Sequence, residues 1–192
     1  MLFSLKQEAP ASVGGGTFTQ PNDISMDSRY DAICGITEDE LYSVFGEVIS
    51  EMANKFDYTV DEMKSLLKKQ YDGYHFSEAL LDIYNPFSII NAFDKLKLDN
   101  YWYKSGTPTY LVKLLEGHHV NMQKLTSRPY ESQYFVDYRA DAENPLAMLY
   151  QSGYLTIKGY DRHYREYTLD YPNVEVRKGF VALMAEANKC CS

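Results

Sequence analysis

Apolar residues along this chain follow two periods, a helical one through most of its length and a two-residue alternation near residue 160. Leu41, Val44, Phe45, Val48, Ile49, Met52 and Phe56 recur at three- and four-residue steps. That spacing predicts one inward stripe on a helix of about 18 residues. Thr37-Glu-Asp-Glu40 opens it as a capping box, in which the Thr hydroxyl takes a free backbone N–H and the Glu reaches back. Thr59-Val-Asp-Glu62 repeats the box and starts a second helix, with Met63, Leu66 and Leu67 facing inward. Three further starts place a cap residue before a proline, whose missing N–H costs nothing at the first helical position. They are Asn85-Pro86, Thr107-Pro108 and Asn144-Pro145. Gly117 and Gly153 stand where left-handed helix ends belong. A last helix begins near Pro172-Asn173 and buries Val176, Phe180, Leu183, Met184 and Ala187.

The alternating stretches are Tyr154–Lys158 and Tyr164–Leu169, rich in β-branched and aromatic residues and separated by Gly159–His163. They predict a β-hairpin. Residues 131–139 add a short strand or extended segment. Residues 1–22, with Pro10, Gly14–Gly16 and Pro21, lack periodicity and read as a flexible or irregular tail. The expected fold is therefore mainly α, of the α+β class. It comprises a helical bundle over 23–128 and a winged-helix-like unit with the hairpin over 129–192.

Composition narrows the function classes. A chain of 192 residues can bury a core without disulfides. Its 18 tyrosines stand out and predict bulky packing together with an aromatic docking surface. A net charge of −8 does not suit a dedicated phosphate-backbone binder, whose affinity comes from Lys and Arg. No apolar run reaches the roughly 18 residues of a membrane span. Residues 1–22 lack a signal-peptide pattern. Cys34, Cys190 and Cys191 read as reduced thiols of a cytoplasmic protein.

Candidate chemistry is sparse. No GxxxxGK[ST] phosphate loop occurs, and Gly14–Gly16 precede Thr17 with no lysine at hand. In Tyr71-Asp-Gly-Tyr-His-Phe76, Asp72 could orient His75 as a general base. A turn at Asp72-Gly73 with packed aromatics explains the same residues and is preferred. His118 and His119, adjacent on a helix, point about 100° apart, which disfavours shared metal binding. Asp170 and Glu175 with Arg177 resemble the acidic core of a metal-dependent nuclease. However, Pro172 starts a helix, where Glu175 serves the helix dipole instead. Lys158, Arg162, Arg165, Arg177 and Lys178 could face DNA, but nearby acids nearly cancel them.

Six segments in order carry a family resemblance: Gly35–Leu41, Tyr71–Phe76, Tyr84–Ser88, Tyr101–Pro108, Leu149–Ile157 and Tyr171–Arg177. Over about residues 23–180 the chain resembles the predicted AAA-type ATPases of gut Bacteroidetes, which are usually fused to a PD-(D/E)XK nuclease-like domain. The resemblance implies a lid-like bundle and winged-helix-like segment that follow a P-loop core, without that core or the nuclease-like domain. It implies a non-catalytic lid or regulatory interaction module, with the P-loop ATPase core as partner and possibly the nuclease-like domain. Arg29, and less so Arg177, would approach the nucleotide in the full-length family. Asp72, Gly73, His75, Asn85, Pro86, Gly106, Thr107, Pro108, Gly153, Asn173 and Glu175 are its motif residues, expected to be structural. No catalytic residue, metal site or cofactor is expected of the chain by itself. A winged-helix nucleic-acid binder and, behind it, a cryptic nuclease remain as alternatives.

Overall fold

The computed structural model describes residues 24–104, 121–136 and 145–190, giving the backbone alone for 103–104 and 186–190. The Thr107-Pro108 start, Gly106, Gly117, His118, His119, the Asn144 cap and the tail lie outside these residues, as does the side chain of Ala187.

Both capping boxes form. Thr37 accepts from the Glu40 amide at 3.3 Å while Glu40 accepts from the Thr37 amide at 2.9 Å, opening α1 (Glu38–Lys55). Thr59 and Glu62 repeat the exchange at 3.2 and 2.8 Å to open α2 (Val60–Tyr71). Leu41, Ile49, Met52, Met63 and Leu67 are fully buried, as the periodicity predicts. Two members of the α1 stripe depart from it. Val44 is 70% exposed, because Phe45 leaves helical geometry (φ −111°, ψ 15°) to stack on Phe93 at 5.1 Å, and the buried face follows Phe45. Phe56 lies beyond the last helical residue, half-exposed under the Lys55 ammonium.

A two-residue strand β1 (Ile36–Thr37) pairs antiparallel with β2 (Ile83–Tyr84) and sets the entry to α1 beside the entry to α3 (Pro86–Asp94). Asn85 caps α3 by accepting from the Phe87 and Ser88 amides at 3.0 and 3.3 Å. A short α4 (Tyr101–Lys104) follows. α5 (Met122–Thr126) leads to a 3-10 turn, Ser132–Tyr134. The strand expected over 131–139 is not formed in its described part: amides of Tyr134, Phe135 and Val136 fold back onto Glu131 and Ser132. That turn drives Phe135 into the core, and only Tyr130 bridges to Tyr167.

The C-terminal order matches the reading. α6 (Pro145–Gln151) ends at Gly153 with φ +80°, in the left-handed region that glycine tolerates. β3 (Thr156–Asp161) and β4 (Glu166–Asp170) form the antiparallel hairpin, and α7 (Val174–Cys190) closes the chain. Val176, Phe180 and Leu183 of α7 are buried. The fold is thus α+β, with two small antiparallel sheets among the described residues.

The described residues form two apolar clusters. One gathers Leu41, Ile49, Met63, Tyr71, Ile89 and Tyr101 from the helical half, and the other lies beneath the hairpin, α6 and α7. The second cluster also takes Tyr74 and Ile83, so core packing crosses the boundary expected at residue 128. Tyrosine supplies much of both interiors: Tyr71, Tyr74, Tyr84, Tyr101, Tyr130, Tyr154 and Tyr167 are buried. Tyrosine thus serves the core as well as the surface, with Tyr30, Tyr58, Tyr134 and Tyr164 among the exposed ones. Among the described residues no helix is long and apolar enough to cross a membrane.

Candidate functional site at the joint between the two cores

The Tyr71–Phe76 motif begins where α2 ends. Asp72 caps the helix, its amide donating to the Lys68 carbonyl, and Gly73 turns the chain at φ +91°. A Cβ at Gly73 would sit 2.5 Å from the Pro172 carbonyl oxygen, so the turn and the close approach both demand glycine. Tyr74 then bridges to Ile83, closing the 74–83 loop, and its hydroxyl donates to the Gly153 carbonyl at 3.3 Å.

Polar ties made by Lys158, Asn173 and Thr156 fasten this loop to the hairpin and α7. Lys158 donates to the carbonyls of Gly73 at 2.6 Å and Pro172 at 3.1 Å. A register shift between Ile157 and Gly159 makes this possible, because a bulge re-aims the extra side chain. Asn173 donates through Nδ2 to the Asp72 carbonyl at 3.0 Å, while its Oδ1 caps α7 by accepting from the Val176 amide at 3.1 Å. Thr156 accepts from the His75 amide and donates to the His75 carbonyl, both at 2.8 Å.

His75 is positioned by Asp82 and not by Asp72. Its Nε2 lies 2.6 Å from Asp82 Oδ1 and its Nδ1 lies 2.7 Å from the Ile157 carbonyl. A carbonyl only accepts, so Nδ1 carries hydrogen and the second contact holds a proton between ring and carboxylate. Asp72 faces away because its side chain belongs to another group. The Lys68 ammonium stands 3.1 Å from Glu38, 3.4 Å from Asp82 and 3.8 Å from Asp72. Tyr42 donates to Glu38 at 2.6 Å.

Charge states follow from these surroundings. The hydrogen bond to Glu38 holds the Lys68 ammonium well above its ordinary range, against partial burial. Burial alone would raise Asp82, but the bond from His75 and the charges of His75 and Lys68 outweigh it and hold that carboxyl low. Asp72 is 2% exposed, and the Gly73 amide approaches its carboxyl without full hydrogen-bond geometry. Burial pushes it up to about 6, with the Gly73 amide and Lys68 opposing. Burial lowers Lys158.

Glu175 is fully buried in the first turn of α7, where its Oε1 accepts from the Trp102 amide at 2.8 Å. It therefore also serves the start of α4. Burial raises its carboxyl, offset in part by the Ser88 hydroxyl and then by that amide. Asp170 is exposed at the end of β4 and accepts from the Tyr171 amide at 2.7 Å. The two carboxylates of the nuclease reading thus occupy different surroundings. Among the described residues, no group of three or more His, Cys, Asp or Glu side chains is arranged to hold a metal ion.

Of the remaining candidates, Asn85 and Pro86 start α3, and Gly153 ends α6. Arg29 is exposed and folds onto Asp27, its Nε lying 3.0 Å from Oδ1, with its guanidinium over the Tyr30 ring. Arg177 is exposed on α7. The structure brings Asp72, Gly73, His75 and Asn173 together at one joint. Lys158, Thr156, Asp82 and Lys68 complete it, and no local sequence pattern marks them as members of a site. The sequence alone suggests a surface cation at Lys158, and its place in a bulged strand turns it inward.

No protein-family model matches the chain, and no solved structure matches it. It is 32% identical over 179 residues to the "uncharacterized protein in vnfD 5′ region" of Azotobacter chroococcum mcd 1. The match takes in 92% of this chain and 32% of that protein. The chain spans about a third of the length of this relative.

Proposed function

We propose that this chain is a non-catalytic lid or regulatory interaction module that works on a P-loop ATPase core. The observation that carries the reading is the use to which the motif residues are put. The carbonyls of Asp72 and Gly73, the backbone and Nδ1 of His75 and the side chain of Asn173 bond across to the other half of the molecule. Residues so employed fix the relative placement of two cores, as a module that transmits or receives a position requires. Exposed apolar side chains are available for contact, among them Val44 on α1 and Phe87 and Ile90 on α3. The match to one segment of a much longer protein suits a module of that kind. Titrating this chain into the separately expressed remainder of the Azotobacter protein tests the reading. A saturable complex that changes that remainder's ATP hydrolysis is expected. Absence of both association and any ATP hydrolysis to modulate overturns it.

A second reading, a winged-helix nucleic-acid binder, rests on the α6–β3–β4–α7 order and on exposed Arg162, Tyr164 and Arg165 at the hairpin tip. Lys158 is withdrawn from that surface, and Asp161 and Glu166 flank the arginines. Salt-dependent duplex binding with a slope of several phosphates would favour it.

A further inference from the structure

Asp72 holds an unusual position in the joint. Its backbone carbonyl and that of Gly73 accept the ties from Asn173 and Lys158, so the loop is fastened at two successive carbonyls directly after this side chain. That side chain is almost wholly buried, and its carboxyl is favoured only by the adjacent Gly73 amide, off full hydrogen-bond geometry, and by the shared charge of Lys68 at 3.8 Å. A desolvated carboxylate is tolerated only when paired and hydrogen-bonded, whereas a carboxylic acid is not so constrained.

The groups around it do not supply the pairing. From α1 come Glu38 and the Tyr42 hydroxyl; from α2, Lys68; from the loop and β2, Asp82, His75 and Tyr84. Lys68 is the nearest cation, and its charge is shared with two other carboxylates at shorter distances. His75 is engaged by Asp82. Lys158 of β3 directs two hydrogens at carbonyls, and Glu175 of α7 is directed at Trp102.

We propose that this joint is a proton-set latch, in which a proton on the Asp72 carboxyl keeps the 72–84 loop fastened to β3 and α7 and its loss loosens them. The step is a simple ionisation: the carboxylic O–H releases its proton to water and leaves a carboxylate inside the joint. Direction follows from the raised carboxyl. Its folded-state value lies above the ordinary one, so the stabilisation is complete below the ordinary aspartate range. It is lost as pH climbs through about 6. The latch is independent of the module reading above and would operate in any assembly that retains the joint.

Amide hydrogen exchange of the intact chain at about pH 5 and about pH 7.5, corrected for intrinsic rate, tests it. The reporters are the His75 amide, bonded to Thr156, and the Val176 amide, bonded to Asn173. Protection there is expected to fall at least about tenfold between the two conditions. In Asp72→Asn, which keeps the shape and never ionises, it is expected to stay high at both. Equal protection of the wild type at both conditions, or an equal fall in Asp72→Asn, overturns the proposal. Should Asp72→Asn not fold, the wild-type carboxyl of Asp72 is followed directly by NMR. A midpoint at the ordinary aspartate value overturns the proposal, and a raised midpoint that coincides with the loss of protection upholds it.

Discussion

Asn173 donates its side-chain N–H to the backbone carbonyl of Asp72 at 3.0 Å, joining residues 101 positions apart in the chain. The same side chain caps α7 through its oxygen, so one residue both starts the last helix and anchors it to the end of α2. Asn173→Ala should therefore lose a cap and a long-range tie together, about 1–2 kcal/mol or somewhat more in denaturant unfolding. Asn173→Asp keeps the capping oxygen and should recover part of that loss.

Gly73→Ala meets two obstacles at once. The backbone sits at φ +91°, and the new methyl would lie 2.5 Å from the Pro172 oxygen and 2.9 Å from Lys158 Nζ. A cost of about 2 kcal/mol or more is expected in the unfolding midpoint. A substitution that leaves the midpoint unchanged would show that the turn and the approach are not as described.

Lys158→Met keeps the aliphatic stem but removes the donor that serves Gly73 and Pro172. Two carbonyls at the joint then lack a partner, a loss of about 1–3 kcal/mol by thermal or chemical unfolding. Arg162→Met, at the exposed hairpin tip, should leave the unfolding midpoint where it is.

Glu175 supplies a second pH dependence. Burial raises its carboxyl, so its native-state contribution is largest below the ordinary glutamate range and declines as pH rises through the raised value. Glu175→Gln retains an acceptor for the Trp102 amide without the buried charge. It should match or exceed the wild type in stability at about pH 8, and the difference should shrink toward about pH 4. Glu175→Ala removes the acceptor and should be the less stable protein throughout.

Much of this architecture is legible in the amino-acid order because its signals are local. The Thr37/Glu40 and Thr59/Glu62 boxes, the Asn85-Pro86 start and the alternation through Tyr154–Leu169 each depend on neighbours within a few positions. Val44 escapes such a reading because its exposure is decided by where Phe45 meets Phe93. Residues 131–136 escape it because their aromatic pattern suits a strand, while the chain must turn there to bury Phe135. At the joint, Asp72, Gly73, His75 and Asn173 could be singled out from sequence. The partner of His75 could not: Asp72 is nearer along the chain, yet Asp82 is brought to the ring by the Tyr74–Ile83 bridge.

The account turns on these motif residues being spent on joining two cores and not on holding a nucleotide. Calorimetric titration of the chain with ATP and Mg²⁺, followed by assay of phosphate release, tests that most directly. No saturable heat and no release are predicted, whereas micromolar binding with turnover, abolished by Arg29→Ala or His75→Ala, would contradict it.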